Sequence, residues 1–284
     1  MIKFIFEDDT TLADYSQEIN DYHTGTPTLP FVATEDRIYI GSRIPFNHLY
    51  FLMNTANTAS SNVTIAVWDG SQWRNAVETY DETKLSGASF GQSGYITFTP
   101  DRQYSWGRED TVDSTGNEQV TGLGDVTVYD HYWIRLSFSA DLDAGTKISW
   151  VGHKFTDDDD LGAEFPDLTL SGTLDAWESG KTSWEEQHIS ASKIVIQDLK
   201  RKKLIMNPGQ ILDRSDLVPC TVMKVAEIAF RQMGNEFEDS KMDAIKQYQD
   251  RIDNIQLQVD KDQDGILDTD EQLITQGRLT RRGF

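Results

Sequence analysis

Cysteine is almost absent: Cys220 is the single thiol in 284 residues. One cysteine excludes an internal disulfide and a cysteine-rich zinc centre. Basic residues are also scarce, with 26 Lys and Arg against 47 Asp and Glu, a formal charge of −21. That balance disfavours phosphate backbones and anionic membranes, so neither sequence-specific nucleic acid nor a membrane is an expected partner. No apolar run approaches the ~20 residues of a membrane-spanning helix. After Met1-Ile2-Lys3-Phe4-Ile5-Phe6, acid arrives at Glu7, too soon for a secretory leader. The expectation is synthesis in a reducing cytoplasm, then residence there or departure inside an assembly.

Catalytic signatures are missing as well. Gly91-Gln92-Ser93-Gly94 lacks the spacing of a nucleophile elbow, and there is no phosphate loop, dinucleotide fingerprint or His-Glu-x-x-His. His23, His48, His131, His153 and His188 are scattered singly, which reads as structural use. Cys220 opens an expected helix, where a thiol pKa can fall; without a base partner it reads as a small core residue. Carboxylate-pair hydrolysis has no positive support. The expectation is a non-enzyme.

What is present falls into two halves, an α+β chain with an antiparallel β-sandwich at 1–156 and a helical domain at 181–284. In Asn62-Val63-Thr64-Ile65-Ala66-Val67-Trp68 the alternation places Val63, Ile65 and Val67 on one face. Asp69-Gly70 then supplies a hairpin turn, with a return through Trp73 to Val77. Gly94 to Thr99 alternates again and stops at Pro100; Tyr132 to Phe138 puts Ile134, Leu136 and Phe138 on one side. Arg37 to Ile40 and His48 to Met53 read as further strands. A polar stretch, 111–125, reads as a long loop.

The stretch 157–180 opens with four aspartates and continues rich in Gly, Ser and Asp. Adjacent carboxylates repel and stay exposed, so it is predicted to be an acidic linker. Ser183-Trp184-Glu185-Glu186 then fits a capping box, followed by Trp184, His188, Ala191, Val195 and Leu199 at helical spacing. A second helix is expected over 219–233, burying Val222, Val225 and Ala229. A third is expected over 240–259 on the seam Ile245, Tyr248, Ile252, Ile255 and Val259, a seam that needs a partner surface.

The sharpest motif is 260–271, Asp-Lys-Asp-Gln-Asp-Gly-Ile-Leu-Asp-Thr-Asp-Glu. It matches a twelve-residue EF-hand-like loop for calcium: carboxylates from Asp260, Asp262 and Asp264, a turn at Gly265, and the Ile266 carbonyl. Asp268, directly or through water, and a bidentate Glu271 complete the set. Leu267 takes the inward position, and helices are expected before the loop and over 271–280. A single loop favours a structural ion over a switch. Beyond Glu271 there is no acid, and Arg278, Arg281, Arg282 and Phe284 make a basic segment with an aromatic, suited to docking on an acidic partner. Trp68, Trp73, Trp106 and Trp133 could stack on sugar, which would make the chain a calcium-stabilised carbohydrate-binding protein; aromatics of this kind more often fill a core.

The segments 45–51 (Pro-Phe-Asn-His-Leu-Tyr-Phe), 54–58 (Asn-Thr-Ala-Asn-Thr), 67–73 (Val-Trp-Asp-Gly-Ser-Gln-Trp) and 132–137 (Tyr-Trp-Ile-Arg-Leu-Ser) resemble β domains of tailed-bacteriophage structural proteins. From Trp184 onward, the helix layout and basic segment resemble head-to-tail connector proteins of the adaptor type. The resemblance implies a virion protein assembled in a bacterial host cytoplasm, a homo-oligomer with a twelve-fold ring, contacting the portal protein and tail or neck proteins. It also implies that Arg278, Arg281, Arg282 and Phe284 dock on the portal. A tail or baseplate station is the alternative within the same class.

Overall fold

Alternating apolar residues in the first half need two surfaces to cover them, and the computed structural model supplies both. It describes residues 2–21, 26–262, 264 and 266, and the backbone of 274–275. The chain is mixed α+β and divides into two compact units, Met1–Gly152 with Asp262–Ile266, and His153–Lys261 with the remainder. The first unit contains β1 (Lys3–Asp8), β2 (Thr11–Asp14), α1 (Ser16–Asn20), β3 (Arg37–Ser42), β4 (His48–Thr55), β5 (Val63–Trp68), β6 (Trp73–Asn75), β7 (Glu78–Asp81), β8 (Gly94–Thr99), β9 (Arg108–Glu109), β10 (His131–Phe138) and β11 (Lys147–Gly152).

Among the described residues, one antiparallel sheet runs β2-β1-β3-β10-β5-β6, with β9 on β10, and a second runs β11-β4-β8-β7. Phe4, Ile38, Ile40, Ile65, Ile134 and Leu136 of the first sheet meet Leu49, Phe51, Ile96, Phe98 and Val151 of the second in one core. Ile134, Leu136 and Phe138 share that face, as their alternation predicts.

The opposite face of the first sheet is covered as well. Ile5, Tyr39, Trp68 and Trp133 project there and are packed by Val120, Leu123 and Val128. Val120 and Leu123 come from the polar stretch read as a loop, and Val128 follows just after it. It carries no helix or strand, yet its occasional valines and leucine seal a sheet face. Gly122 marks the closest approach: its φ is +93°, and a Cβ there would fall 2.0 Å from the Tyr39 hydroxyl. Gly41 has a similar role, facing Trp133 across the β3–β10 register, where a Cβ would meet the indole at 2.7 Å.

The second unit contains α2 (Asp158–Glu164), α3 (Ser171–Trp177), α4 (Glu185–Arg201), α5 (Val218–Met233), α6 (Glu238–Asp253), β12 (Gln256–Leu257) and β13 (Ile274–Thr275). Ala191, Val195 and Leu199 of α4, Val222, Val225 and Ala229 of α5, and Tyr248 and Ile252 of α6 share one core, following the helical periods in the sequence.

The stretch 157–180 is not a linker. It forms α2, a 3-10 turn at Pro166–Leu168 and α3, and it buries Leu161, Leu168 and Leu174 in the helical core. The aspartates themselves stay at least partly exposed, as repulsion requires. Asp157 accepts from the amides of Asp159 and Asp160, both at 3.0 Å, and Asp160 accepts from the Asp157 amide at 3.1 Å. Acid at a helix start also meets the positive end of the helix dipole. The capping box expected at Ser183 is absent: α4 is preceded by Trp184 without a side-chain cap, and Ser183 Oγ accepts from the Glu185 amide instead.

The third predicted helix also ends early, at Asp253. Ile255, Leu257 and Val259 are buried while Gln256 is exposed, which is strand alternation. Gln256–Leu257 pairs antiparallel with Ile274–Thr275. The backbone next to the acidic loop is therefore a strand pair at 256–257 and 274–275, because Ile-Gln-Leu-Gln-Val alternates with period two and the strand partner lies beyond the loop. The rest of the helix expected over 271–280 lies outside the described residues.

Candidate functional site

The acidic loop is approached through extended backbone. Val259 bridges to Ile211, and the Asp260 amide donates to the Gln210 carbonyl at 2.9 Å. Gln210 Nε2 returns a bond to the Asp260 carbonyl at 3.0 Å, while its Oε1 accepts from the Met206 and Asn207 amides. Gln210 is buried and belongs to a capping box with Asn207 around Pro208–Gln210. Asp260 is thus seated from its backbone and is only 1% exposed. Gln210 is a positioning residue that motif matching passed over; its signal was Asn-Pro-Gly-Gln, a capping-box spacing.

From that anchor the carboxylates converge. One oxygen each from Asp260, Asp262 and Asp264 lies within 4.8 Å of the others. Three oxygens no farther apart than this lie close to the spacing that one calcium ion spans with ligands at about 2.3–2.6 Å, so a small inward movement brings all three onto it. The Asp262 carboxylate accepts from the Asp264 amide at 3.3 Å, and Asp264 from the Ile266 amide at 2.7 Å, which curls the backbone around the acids. The Ile266 side chain is buried. Hard oxygen donors suit calcium or magnesium and not a thiophilic metal. At 4.8 Å and an effective dielectric of ~20, each ionised pair repels by about 3 kcal/mol before solvent screening reduces it. A divalent cation reverses that sign. Gly265, Asp268 and Glu271, and the docking candidates Arg278, Arg281, Arg282 and Phe284, lie outside the described residues. The strand pair brings together the backbone on both sides of the loop, lowering the entropy of closing it.

A second polar cluster lies in the helical unit. Thr156 Oγ1 is 2.8 Å from His188 Nδ1, and His188 Nε2 is 3.1 Å from Asp158 Oδ1. With Asp158 ionised, His188 Nε2–H donates to it and the Thr156 hydroxyl donates to Nδ1. This order of hydroxyl, imidazole and carboxylate is one that nucleophilic enzymes use. Here Thr156 and His188 are both 0% exposed, so the arrangement presents no hydroxyl to a substrate. It ties Asp158 at the start of α2 to α4, and the Trp184 amide adds a bond to the same oxygen at 3.0 Å. Burial works to raise the Asp158 pKa, but the bonds from His188, Ser183 and the Trp184 amide outweigh it and leave the carboxyl below its ordinary value. Nearby, buried Lys154 is held by both oxygens of Glu185 at 2.8 and 3.0 Å. His188, read as a structural histidine, is a connector within the fold.

Cys220 is buried, and burial pushes its thiol up to about 12; its Sγ donates to the Leu217 carbonyl at 3.2 Å. A thiol so placed is a core residue and not a nucleophile. The four tryptophans do not form a sugar platform. Trp68, Trp106 and Trp133 are buried, and half-buried Trp73 donates its indole N–H to the Thr121 carbonyl.

No protein-family model matches the chain, and no curated protein matches it either.

Proposed function

We propose that the chain is a structural subunit of a tailed-phage virion, a head-to-tail connector of the adaptor type in which copies assemble into a ring between portal and tail. Calcium on 260–271 would hold the segment that follows, and the protein's work would be cohesion and docking, without catalysis. The observation that carries this reading is the order of parts. A two-sheet antiparallel unit precedes a helical unit with its own core, and an acidic loop and basic segment follow. The resemblance of the front half to phage β domains and of the back half to adaptors supplies the class; this is analogy of fold and layout.

The converging carboxylates of Asp260, Asp262 and Asp264 support the calcium part. In that role Asp260, pinned through Gln210, fixes where the ion sits, and the ion draws the rest of 260–271 around itself. The test is electron microscopy of the purified protein with calcium and with a chelator, alone and mixed with a portal protein. Rings that need calcium, or that form on the portal, support the reading. Monomers throughout with no portal binding overturn it.

A further inference from the structure

The helical unit carries two adjoining cavities of about 750 and 410 Å³ that share Thr173, Met233 and Phe237. Their floor is aromatic. Phe165 and Phe230 meet edge to face at 5.8 Å, and Phe230 stacks on Phe237 at 5.9 Å and 15°. Phe237 remains 38% exposed. The walls carry exposed Asp167, exposed Glu178 at 4.0 Å from Lys181, exposed Asp243 accepting from Gln247, and Glu164, which Arg251 pairs. Among the described residues, no Lys or Arg lines either cavity. A planar cation fits such a groove: guanidinium stacks on aromatic faces and pairs with carboxylates at the rim.

The chain itself contains that ligand chemistry. Beyond Thr275 the segment 276–284 reads Gln-Gly-Arg-Leu-Thr-Arg-Arg-Gly-Phe, with three arginines, two large apolar residues and no acid. We infer that the acidic, aromatic groove at Phe165, Phe230 and Phe237 takes the segment 276–284 of a second copy of this chain.

The geometry favours a second copy over the same one. Thr275 pairs with Gln256, just past the end of α6, whereas Phe237 lies at the start of that helix. The sixteen residues of α6 span about 24 Å at ~1.5 Å each. Nine further residues, fully stretched, reach about 30 Å, so a chain's own segment would be strung along α6 with only its last residues in the groove. A neighbour can lay all three arginines and Phe284 into it. Such a contact is head-to-tail, and repeated it closes a ring or extends a filament. The inference deepens the assembly reading by naming the contact between copies, and it needs no portal.

Sedimentation velocity on full-length protein tests it. One variant reverses the segment (Arg278→Glu, Arg281→Glu, Arg282→Glu) and another reverses the rim (Asp167→Lys, Asp243→Lys). Wild type should self-associate, and each variant should weaken association by at least about tenfold. An equimolar mixture should regain it, because each variant's segment then meets a rim of opposite charge on the other variant. Should the rim variant misfold by circular dichroism, exposed Glu178→Lys replaces it. Monomeric wild type, or association unmoved by either variant, overturns the inference. So does recovery only when both reversals sit on one chain, which would place the segment in its own groove. Portal binding by the same proteins is the separate readout for the connector reading.

Discussion

The aspartates at 157–160 and those at 260–264 are similar in composition and opposite in use. At 157–160 the fold itself answers three of the charges: amides at the start of α2 for Asp157, His188 with the Trp184 amide for Asp158, and the Asp157 amide for Asp160. The carboxylates sit on successive residues and fan around a helix end. At 260–264 they sit on alternate residues, and the backbone curls so that three of them point at one place. Spacing, more than charge, decides whether an acidic run finishes a helix or builds a cation site. Four aspartates in a row looked like a linker because composition was weighed before helix-start chemistry.

The comparison can be broken most severely at the anchor of the first run. Trp184 is fully buried and donates its indole N–H to the Leu168 carbonyl at 2.8 Å. Trp184→Ala should cost about 3–5 kcal/mol, read as a lower urea midpoint for the helical unit by far-ultraviolet circular dichroism. The second run should respond to its ion. Calcium at ~100 times its dissociation constant should stabilise the chain by about 2.7 kcal/mol, seen as a higher melting temperature that a chelator abolishes. Glu271→Gln should weaken that response and leave the β unit folded. The first run should show no calcium dependence of its own.

Smaller effects sharpen the contrast. Asp158→Asn removes a carboxylate from a buried histidine and should cost about 1–2 kcal/mol. The sign of its pH dependence follows from the lowered pKa. The carboxylate stabilises the fold above its unfolded value near 4, and the benefit is lost as pH falls through the lower folded value. Wild type should therefore lose helical-unit stability on acidification below about pH 4 more steeply than Asp158→Asn does. Asp157→Ala, which deletes only a cap, should cost about 1 kcal/mol in the same unfolding assay.

Much of the fold was legible because the period of apolar residues is a local signal. Ile134, Leu136 and Phe138, or Ala191, Val195 and Leu199, declare their faces without reference to anything distant. What was not legible depended on partners far along the chain. Val120, Leu123 and Val128 look isolated until Trp68 and Trp133 turn out to need cover. The segment 255–259 satisfies both a helical and a strand pattern, and pairing with Ile274–Thr275 decides for the strand. At the candidate site the acid spacing could be read directly, whereas Gln210 could not be connected to Asp260 without the fold. The groove at Phe237 was invisible for the same reason: Phe165, Phe230 and Phe237 come from separate segments.

Isothermal titration of the full-length protein with calcium tests the assignment of 260–271 most directly. One ion should bind per chain, and binding should be lost or strongly weakened in Asp262→Asn while Asp159→Asn binds like wild type. Heat unchanged by Asp262→Asn, or no binding by the wild-type chain, would contradict it.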